Sequence, residues 1–109
     1  MEIDRDLVRG STSMLILSLL HEEGALYGYQ ITKLIKERSE GLLDFKEGTL
    51  YPALYRLEDE GAITSEWIAK DSRKRRYYRI TSKGMERLEQ KKREWRTFIG
   101  SIRGVMGDA

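Results

Sequence analysis

The segment EGTLYPALYRLEDEGAI, residues 47–63, restricts the fold more than any other part of the chain. In a helix, where successive residues are about 100° apart, Leu50, Leu54 and Leu57 fall within about 60° of one another. The far side carries hydroxyl, phenol and guanidinium groups together with a proline: Thr49, Tyr51, Pro52, Tyr55 and Arg56. The segment therefore predicts a short third helix that buries only its leucines and ends at Gly61.

Capping residues predict where the helices begin. Ser11 or Thr12 can cap a first helix that runs to about Glu23 and is apolar on nearly every side. If Thr49 caps the third helix in the same way, Pro52 lies in the first turn, where a missing N–H group is harmless. A second helix is expected over residues 27–39. Its core stripe comprises Tyr27, Ile31, Leu34 and Ile35, and its opposite face includes Tyr29, Lys33 and Lys36.

After the third helix, the pattern of the chain changes from helix to strand. AITSEWIAK and RRYYRIT are rich in β-branched and aromatic residues, and a polar turn around 71–73 separates them. A last helix follows from about Ser82 to Met106. The order helix, helix, helix, hairpin, long helix predicts a mainly α fold with a small β-hairpin, which is a winged helix-turn-helix. We expect residues 1–81 to form the DNA-binding domain and 82–109 the dimerisation helix of one compact unit.

The hairpin concentrates the positive charge. The chain carries a net charge of only +2, but KDSRKRRYYR at 70–79 has six basic residues and one acidic residue, or +5, so the rest sums to 2 − 5 = −3. Strand alternation places Tyr78 and Ile80 towards the core. Beside a helix-turn-helix, such a wing can neutralise DNA phosphates. The candidate contacts are Ser72, Arg73, Lys74 and Arg75.

The third helix of the chain is the second helix of the helix-turn-helix, which enters the major groove of DNA. Its candidate contacts are Thr49, Tyr51, Pro52, Tyr55 and Arg56. Tyr29 and Lys33, near the start of the second helix, are weaker candidates for a phosphate. The tyrosines could instead fold back over the core edge. The hairpin could be a solvated basic loop, or it could dock an acidic partner in a protein–protein interaction module.

The last helix carries a heptad pattern. Its seam residues follow alternating steps of three and four with one polar interruption at Lys92: Met85, Leu88, Trp95, Ile99, Ile102 and Met106. A helix of about 25 residues is roughly 37 Å long and overhangs so small a domain. We expect a homodimer through this seam, which would present two recognition helices to two half-sites; packing on the same subunit is the alternative.

Catalysis, metal binding and membrane insertion have no support in the sequence. Cysteine is absent, and the one histidine, His21, has no second soft ligand for a transition metal. No nucleophile–base pair or phosphate-binding glycine loop is present, so we expect neither an enzyme nor a cofactor. The longest apolar run, 14–20, is too short to cross a bilayer, and residues 1–10 lack the order of a secretory signal, so we expect a cytoplasmic protein.

With these residues in view, the chain resembles the PadR family of bacterial transcriptional regulators. The matching segments are LYGYQI at 26–31, EGTLYPALYRLEDEGAI at 47–63 and RRYYRIT at 75–81. The resemblance implies a dimeric winged-helix repressor that responds to a small molecule and contacts DNA through Thr49, Tyr51, Pro52, Tyr55 and the basic wing. Ala62 stands where the family more often has Leu.

The last helix also resembles that of short PadR-like multidrug-efflux repressors, through REWRTFIGSIRGVM at 93–106. This similarity implies a ligand site for a planar aromatic molecule near Met14, Trp95 and Ile99, with Trp95 of each subunit facing a central pore. Packing of Trp95 in the seam is the alternative.

Overall fold

The structure of the protein, a computed structural model, describes the backbone of residues 5–107 and the side chains of residues 11–107. The elements in chain order are α1 (Arg5–Glu23), β1 (Leu26–Tyr27), α2 (Gly28–Arg38), α3 (Glu47–Asp59), β2 (Ile63–Lys70), β3 (Arg73–Ile80) and α4 (Ser82–Met106). This is the mainly helical winged fold that the sequence predicts, with the third helix, α3, directly before the hairpin.

The β2–β3 hairpin, residues 63–80, forms the wing. Its strands are antiparallel, and a tight turn at Asp71 and Ser72 joins them, with φ of 49° and 66° at these residues. Positive φ at both central positions matches the right-handed twist of the strands. The sequence predicted this turn, because short polar residues tolerate the left-handed conformation.

The sheet has a third strand that the sequence analysis missed. The strand order is β1–β3–β2, with Leu26 opposite Tyr78 and Tyr27 opposite Tyr77. A strand of two residues is too short to show alternation, so Tyr27 was assigned to the second helix. The consequence for the fold is that β1 attaches the first turn of α2 to the wing.

The core lies between α1, α3 and the inner side of the sheet. Its fully buried side chains include Ile16, Leu17, Leu20, Ile31, Leu50, Leu54, Leu57, Ile63, Tyr78 and Leu88. Burial of each aliphatic side chain contributes about 1.5–3 kcal/mol before entropy is counted. The inward orientation predicted for Tyr78 is confirmed, and Ile80 packs partly buried at the core edge.

Two predicted helix starts are wrong. Ser11 and Thr12 lie inside α1 rather than at its cap, because the helix already includes Arg5. Lys46, not Thr49, is the N-cap of α3, which makes Pro52 its sixth residue, counting Glu47 as the first. Pro52 is therefore beyond the first turn and removes the helical hydrogen bond to the carbonyl of Gly48. In both cases a polar residue inside a helix resembled a cap in sequence.

The start of α4 packs closely against the base of the wing. Thr81 caps the helix by accepting a hydrogen bond from the Gly84 N–H at 3.0 Å, and it donates to the Gly61 carbonyl at 2.6 Å. Gly84 is buried, and a Cβ there would overlap the carbonyl of Ala62 and the side chain of Ile80. Glycine is required because the two backbones approach closely.

We predict that Gly84→Ala destabilises the protein by about 1–3 kcal/mol, since overpacking exceeds the gain in helix propensity. Gly104→Ala, in the same helix but with no atom near the added Cβ, is the matched control and should be neutral or slightly stabilising. Urea unfolding at fixed protein concentration measures both. Equal stabilities for the two variants would contradict the close packing at Gly84.

Candidate nucleic-acid interface

The two faces of α3 have opposite environments: the inner face is buried in the core, and the outer face is exposed to solvent. Leu50, Leu54 and Leu57 are inaccessible to solvent, as their spacing predicted. On the other side, Tyr55 is 52% exposed, and Pro52 and Arg56 are exposed beside it. Thr49 is partly exposed near the N-terminus. Most of the predicted contact residues of α3 thus lie on one accessible face.

Tyr51 differs from Tyr55, because it covers the edge of the core. Its ring and hydroxyl lie against Gly28 at the start of α2, where any Cβ would collide with them. Burial raises the pKa of Tyr51, and the charge of Glu47 and the phenol of Tyr55 raise it further. Its phenol therefore stays a hydrogen-bond donor at neutral pH. The expectation that tyrosines fold back over the core describes Tyr51 but not Tyr55.

An ion-pair cluster holds the wing against α3. The Arg76 guanidinium on β3 donates from Nη2 to Glu58 Oε1 on α3 at 3.0 Å, and from Nε to Ser65 Oγ on β2 at 2.8 Å. The Ser65 hydroxyl in turn donates to Glu58. Arg76 also lies 5.9 Å from the ring centroid of Tyr78. The charge of Arg76 is thus neutralised by Glu58 within the chain, and the cluster connects the wing to α3.

The basic residues of the wing divide into held and free side chains. The Arg75 guanidinium lies 4.6 Å above the ring centroid of Tyr27, which packs edge-on against Tyr77. Ser72, Arg73 and Lys74 are exposed at the tip. Within the described part of the chain, neither Arg73 nor Lys74 forms an ion pair. Arg73 and Lys74 are therefore among the wing cations available to an outside anion.

A cleft of about 360 Å³ separates the start of α2 from α3 and the wing. Four residues predicted to contact DNA line this cleft: Tyr29, Tyr51, Tyr55 and Arg75. Tyr27 and Trp67 line it too and were missed. The sequence did contain a signal for Trp67, because side chains two apart on a strand lie on the same face and Trp67 is two residues after Ser65 in β2. Lys33 is exposed farther along α2 and is not among the cleft residues.

Comparison with known proteins agrees with this geometry. Residues 16–90 match the model of the Transcriptional regulator PadR-like family, which is more than half of the chain. The chain belongs to the PadR-like family. As a member, this PadR-like protein is a DNA-binding transcriptional regulator and not an enzyme, which confirms those predictions from sequence.

Similar proteins with solved structures have the same fold. A transcriptional regulator from Clostridium thermocellum, Cth-833, is 41% identical with a TM-score of 0.85, over 91% of this chain and 96% of that one. A PadR family transcriptional regulator from Eggerthella lenta is 32% identical with a TM-score of 0.82, over 93% and 86% of the two chains. An uncharacterised protein of Lysinibacillus sphaericus is 38% identical over 83% of each chain.

The C-terminal helix of this PadR-like protein exposes an apolar stripe. Trp95, Phe98, Ile102, Val105 and Met106 are all exposed, and the rings of Trp95 and Phe98 are 6.1 Å apart. Met85 is exposed near the start of the helix, and Ile99 is partly exposed. Phe98 and Val105 fall outside the predicted heptad seam, so the stripe is wider than expected.

Leu88 has to be removed from the predicted dimer interface. It is 1% exposed and belongs to the core of its own chain, so it is not available to a partner. The heptad pattern alone could not reveal this, because the start of α4 packs on its own domain while the rest projects beyond it.

The predicted ligand residues are only partly brought together. Met14 and Trp95 line a small pocket of about 170 Å³ with Lys91, Glu94 and Phe98, and Ile99 is not among the lining residues. The pocket lies between α1 and α4. In a single chain it is smaller than the cleft beside the wing.

No group of three His, Cys, Asp or Glu side chains among the described residues could hold a metal ion, and His21 is exposed at the end of α1. None of the helices described has the length and apolarity needed to cross a membrane.

We predict that Glu58→Gln destabilises the PadR-like protein by about 1–3 kcal/mol, because Arg76 then loses its counter-charge in a partly buried site. The matched control is Glu66→Gln on β2, which removes an exposed pair with Arg79 at 3.9 Å and should change stability by less than about 0.5 kcal/mol. Thermal unfolding compares the two. A similar small effect for both would show that the wing does not depend on Glu58.

Proposed function

We propose that the protein is a repressor that binds a palindromic operator as a homodimer. The observation that carries the proposal is that α3 and the wing line one cleft, through Tyr55 and Arg75, while Arg73 and Lys74 are exposed at the tip of the wing. Groups suited to base edges and phosphates lie next to groups suited to phosphates alone. A DNA-binding regulator works in the compartment that holds the chromosome, so the proposal places the protein in the cytoplasm.

Each element has a separate role in the proposed complex. In α3, Thr49, Tyr51, Tyr55 and Arg56 offer hydrogen-bond donors, and Pro52 offers an apolar surface beside them. Tyr29 and Lys33 of α2 extend this surface to a neighbouring phosphate. The wing residues Ser72, Arg73, Lys74 and Arg75 follow the backbone. Because the ion-pair cluster holds wing and helix together, they would meet the duplex as one rigid surface.

The two proposed units, 1–81 and 82–109, have different partners but are not independent. Gly84 and Leu88, from the beginning of the second unit, pack into the core of the first. A change in the direction of α4 would therefore act on α1 and β3, which α4 contacts. Residues 1–4 and 108–109, which fall within these units, lie outside the described part of the chain.

The proposed dimer rests on the exposed stripe of α4. Exposed aromatic and aliphatic side chains at helical spacing favour a second helix as cover, and a self-complementary stripe suits two-fold pairing. Such a dimer would present two copies of α3 to half-sites one turn of DNA apart, about 34–36 Å. This is the geometric reason for proposing a palindromic operator.

The proposal extends to an effector, a planar aromatic small molecule bound near Met14 and Trp95. Support comes from the pocket that these two residues line with Phe98. The pocket is small in one chain, and the partner's stripe would enlarge it. An effector acts by favouring a dimer geometry in which the recognition helices no longer match the half-sites, through a coupling of about 1–3 kcal/mol.

The wing is tested by salt dependence. Arg73→Ala combined with Lys74→Ala should weaken binding to duplex DNA of random sequence and lower the slope of log K against log salt by about 1.8. The matched control is Arg93→Ala combined with Arg103→Ala, which removes the same charge from exposed positions of α4. Fluorescence anisotropy at several salt concentrations measures both. Equal slopes for the two variants would show that the wing does not contact phosphates. If the wild-type protein does not bind duplex DNA, an acidic protein partner is favoured instead.

The dimer is tested by a charge in the stripe. Ile102→Glu should convert the dimer to a monomer, because two carboxylates would meet in an apolar seam. Thr97→Glu adds the same charge at an exposed position on the far side of α4 and should leave the dimer intact. Sedimentation velocity gives the mass of each. A dimeric Ile102→Glu variant would place the interface elsewhere.

The effector site is tested by fluorescence. In a Trp67→Phe variant only Trp95 reports, and planar aromatic compounds should quench its emission with saturation. Met14→Ala should weaken that binding, whereas Leu42→Ala, which shortens an exposed side chain outside both the pocket and α4, should not. If none of a panel of such compounds changes the emission of Trp95, the residue serves only in packing.

A further inference from the structure

Trp67 is a large apolar side chain left in solvent on the wing. Its indole is 63% exposed, although the residue lies in the middle of β2. Side chains two apart on a strand share a face, so Trp67 lies on the same face as Ser65, whose hydroxyl is bonded to Glu58 of α3. Trp67 therefore lies on the face of the wing that meets α3, directly opposite Arg76 of the ion-pair cluster in the strand register.

The indole forms one wall of the cleft between wing and α3. Tyr55, also more than half exposed, forms part of the opposite side, and Gly28 and Tyr51 lie deeper. The cleft, of about 360 Å³, is larger than one solvent molecule needs and too open to be a core defect.

The hydrogen-bonding groups in the cleft favour an anion with an apolar flank. Tyr29 and Tyr55 bring phenolic hydroxyls, and Trp67 brings an indole N–H that can only donate. Among the described residues of the cleft, Arg76 is neutralised by Glu58, which leaves Arg75 as the cation without a carboxylate partner. The ring faces of Trp67 and Tyr55 are apolar. Such a lining fits a phosphate attached to a sugar, whose C–H groups pack on rings.

We propose that Trp67 contacts DNA directly. The indole packs against a deoxyribose of the strand that passes between the wing and α3, and its Nε1–H donates to an adjacent phosphate. This inference rests on the proposed DNA binding through α3 and the wing, and it adds a contact that involves no positive charge. The basic residues of β3, two of which line the cleft, supply the complementary charge that directs a DNA strand to it.

An uncharged contact has its own experimental signature. Loss of a phosphate-binding cation changes both the affinity and its salt slope, because fewer counterions are released. Loss of Trp67 should reduce the affinity at every salt concentration and leave the slope unchanged. The reduction should be the same for duplexes of different sequence, since every nucleotide has a deoxyribose.

The experiment uses the full chain and a random-sequence duplex. Trp67→Ala should bind about five- to tenfold more weakly than wild type with an unchanged salt slope, the order expected when one partly buried aromatic side chain is lost. Trp67→Phe should lose about twofold, because it keeps a ring but not the N–H. Leu42→Ala, which shortens an apolar side chain that is 45% exposed between α2 and α3, is the matched control and should bind normally.

A second measurement does not depend on the stability of the alanine variant. In a Trp95→Phe protein, the emission of Trp67 should change and saturate as duplex is added. Unchanged emission, or normal affinity of Trp67→Ala, overturns the proposal while the salt-slope effect of Arg73 and Lys74 still supports the proposed function. Failure of the wild-type protein to bind any duplex overturns the proposed function itself.

A third measurement separates the sugar from the base. The affinity loss of Trp67→Ala should be the same on a duplex in which deoxyuridine replaces thymidine. If the loss disappears on that duplex, the indole contacts the methyl group of thymine, and the assignment to deoxyribose is wrong.

Discussion

Burial of the leucine stripe of α3 is the interaction on which the rest of the structure depends. Leu50, Leu54 and Leu57 are inaccessible to solvent and pack among the core residues of α1 and the sheet. Each contributes about 1.5–3 kcal/mol, so rotation of the helix about its axis would expose apolar area that nothing else could cover. The stripe thereby fixes which side of α3 meets solvent. Tyr55 and Arg56 are accessible as a result of this packing.

Orientation of one helix is not sufficient to build an interface, and polar and aromatic contacts hold the neighbouring elements to α3. Glu58 and Arg76 connect it to the wing, and Tyr51 closes on Gly28 to connect it to α2. The strand β1 attaches the beginning of α2 to β3. These contacts join segments that are distant in sequence. They make α2, α3 and the wing parts of one surface.

Much of this architecture could be predicted from local pattern. Periods of 3.6 and 2 residues identified the helices and the wing strands, and the polar pair Asp71 and Ser72 identified the turn. Sequence patterns gave wrong predictions where contacts with distant parts of the chain decided the position of a residue. Thr12 resembles a cap but lies buried in α1, and Leu88 continues a heptad yet belongs to the core. The strand β1 could not be predicted, because its pairing with Tyr77 and Tyr78 gives no signal within two residues.

By itself, the sequence determined the fold class, the narrow buried stripe of α3, the concentration of positive charge on the wing and the family. Each of these follows from residues close together in the chain. Only the tertiary structure decided which basic side chains are free, because the pairing of Arg76 depends on Glu58, a residue 18 positions away. It also decided that Trp67 shares a cleft with Tyr55 and that Leu88 faces inward. The spacing of apolar residues along one helix or strand shows which of its faces is buried. It does not show which residues from other parts of the chain pack against that face.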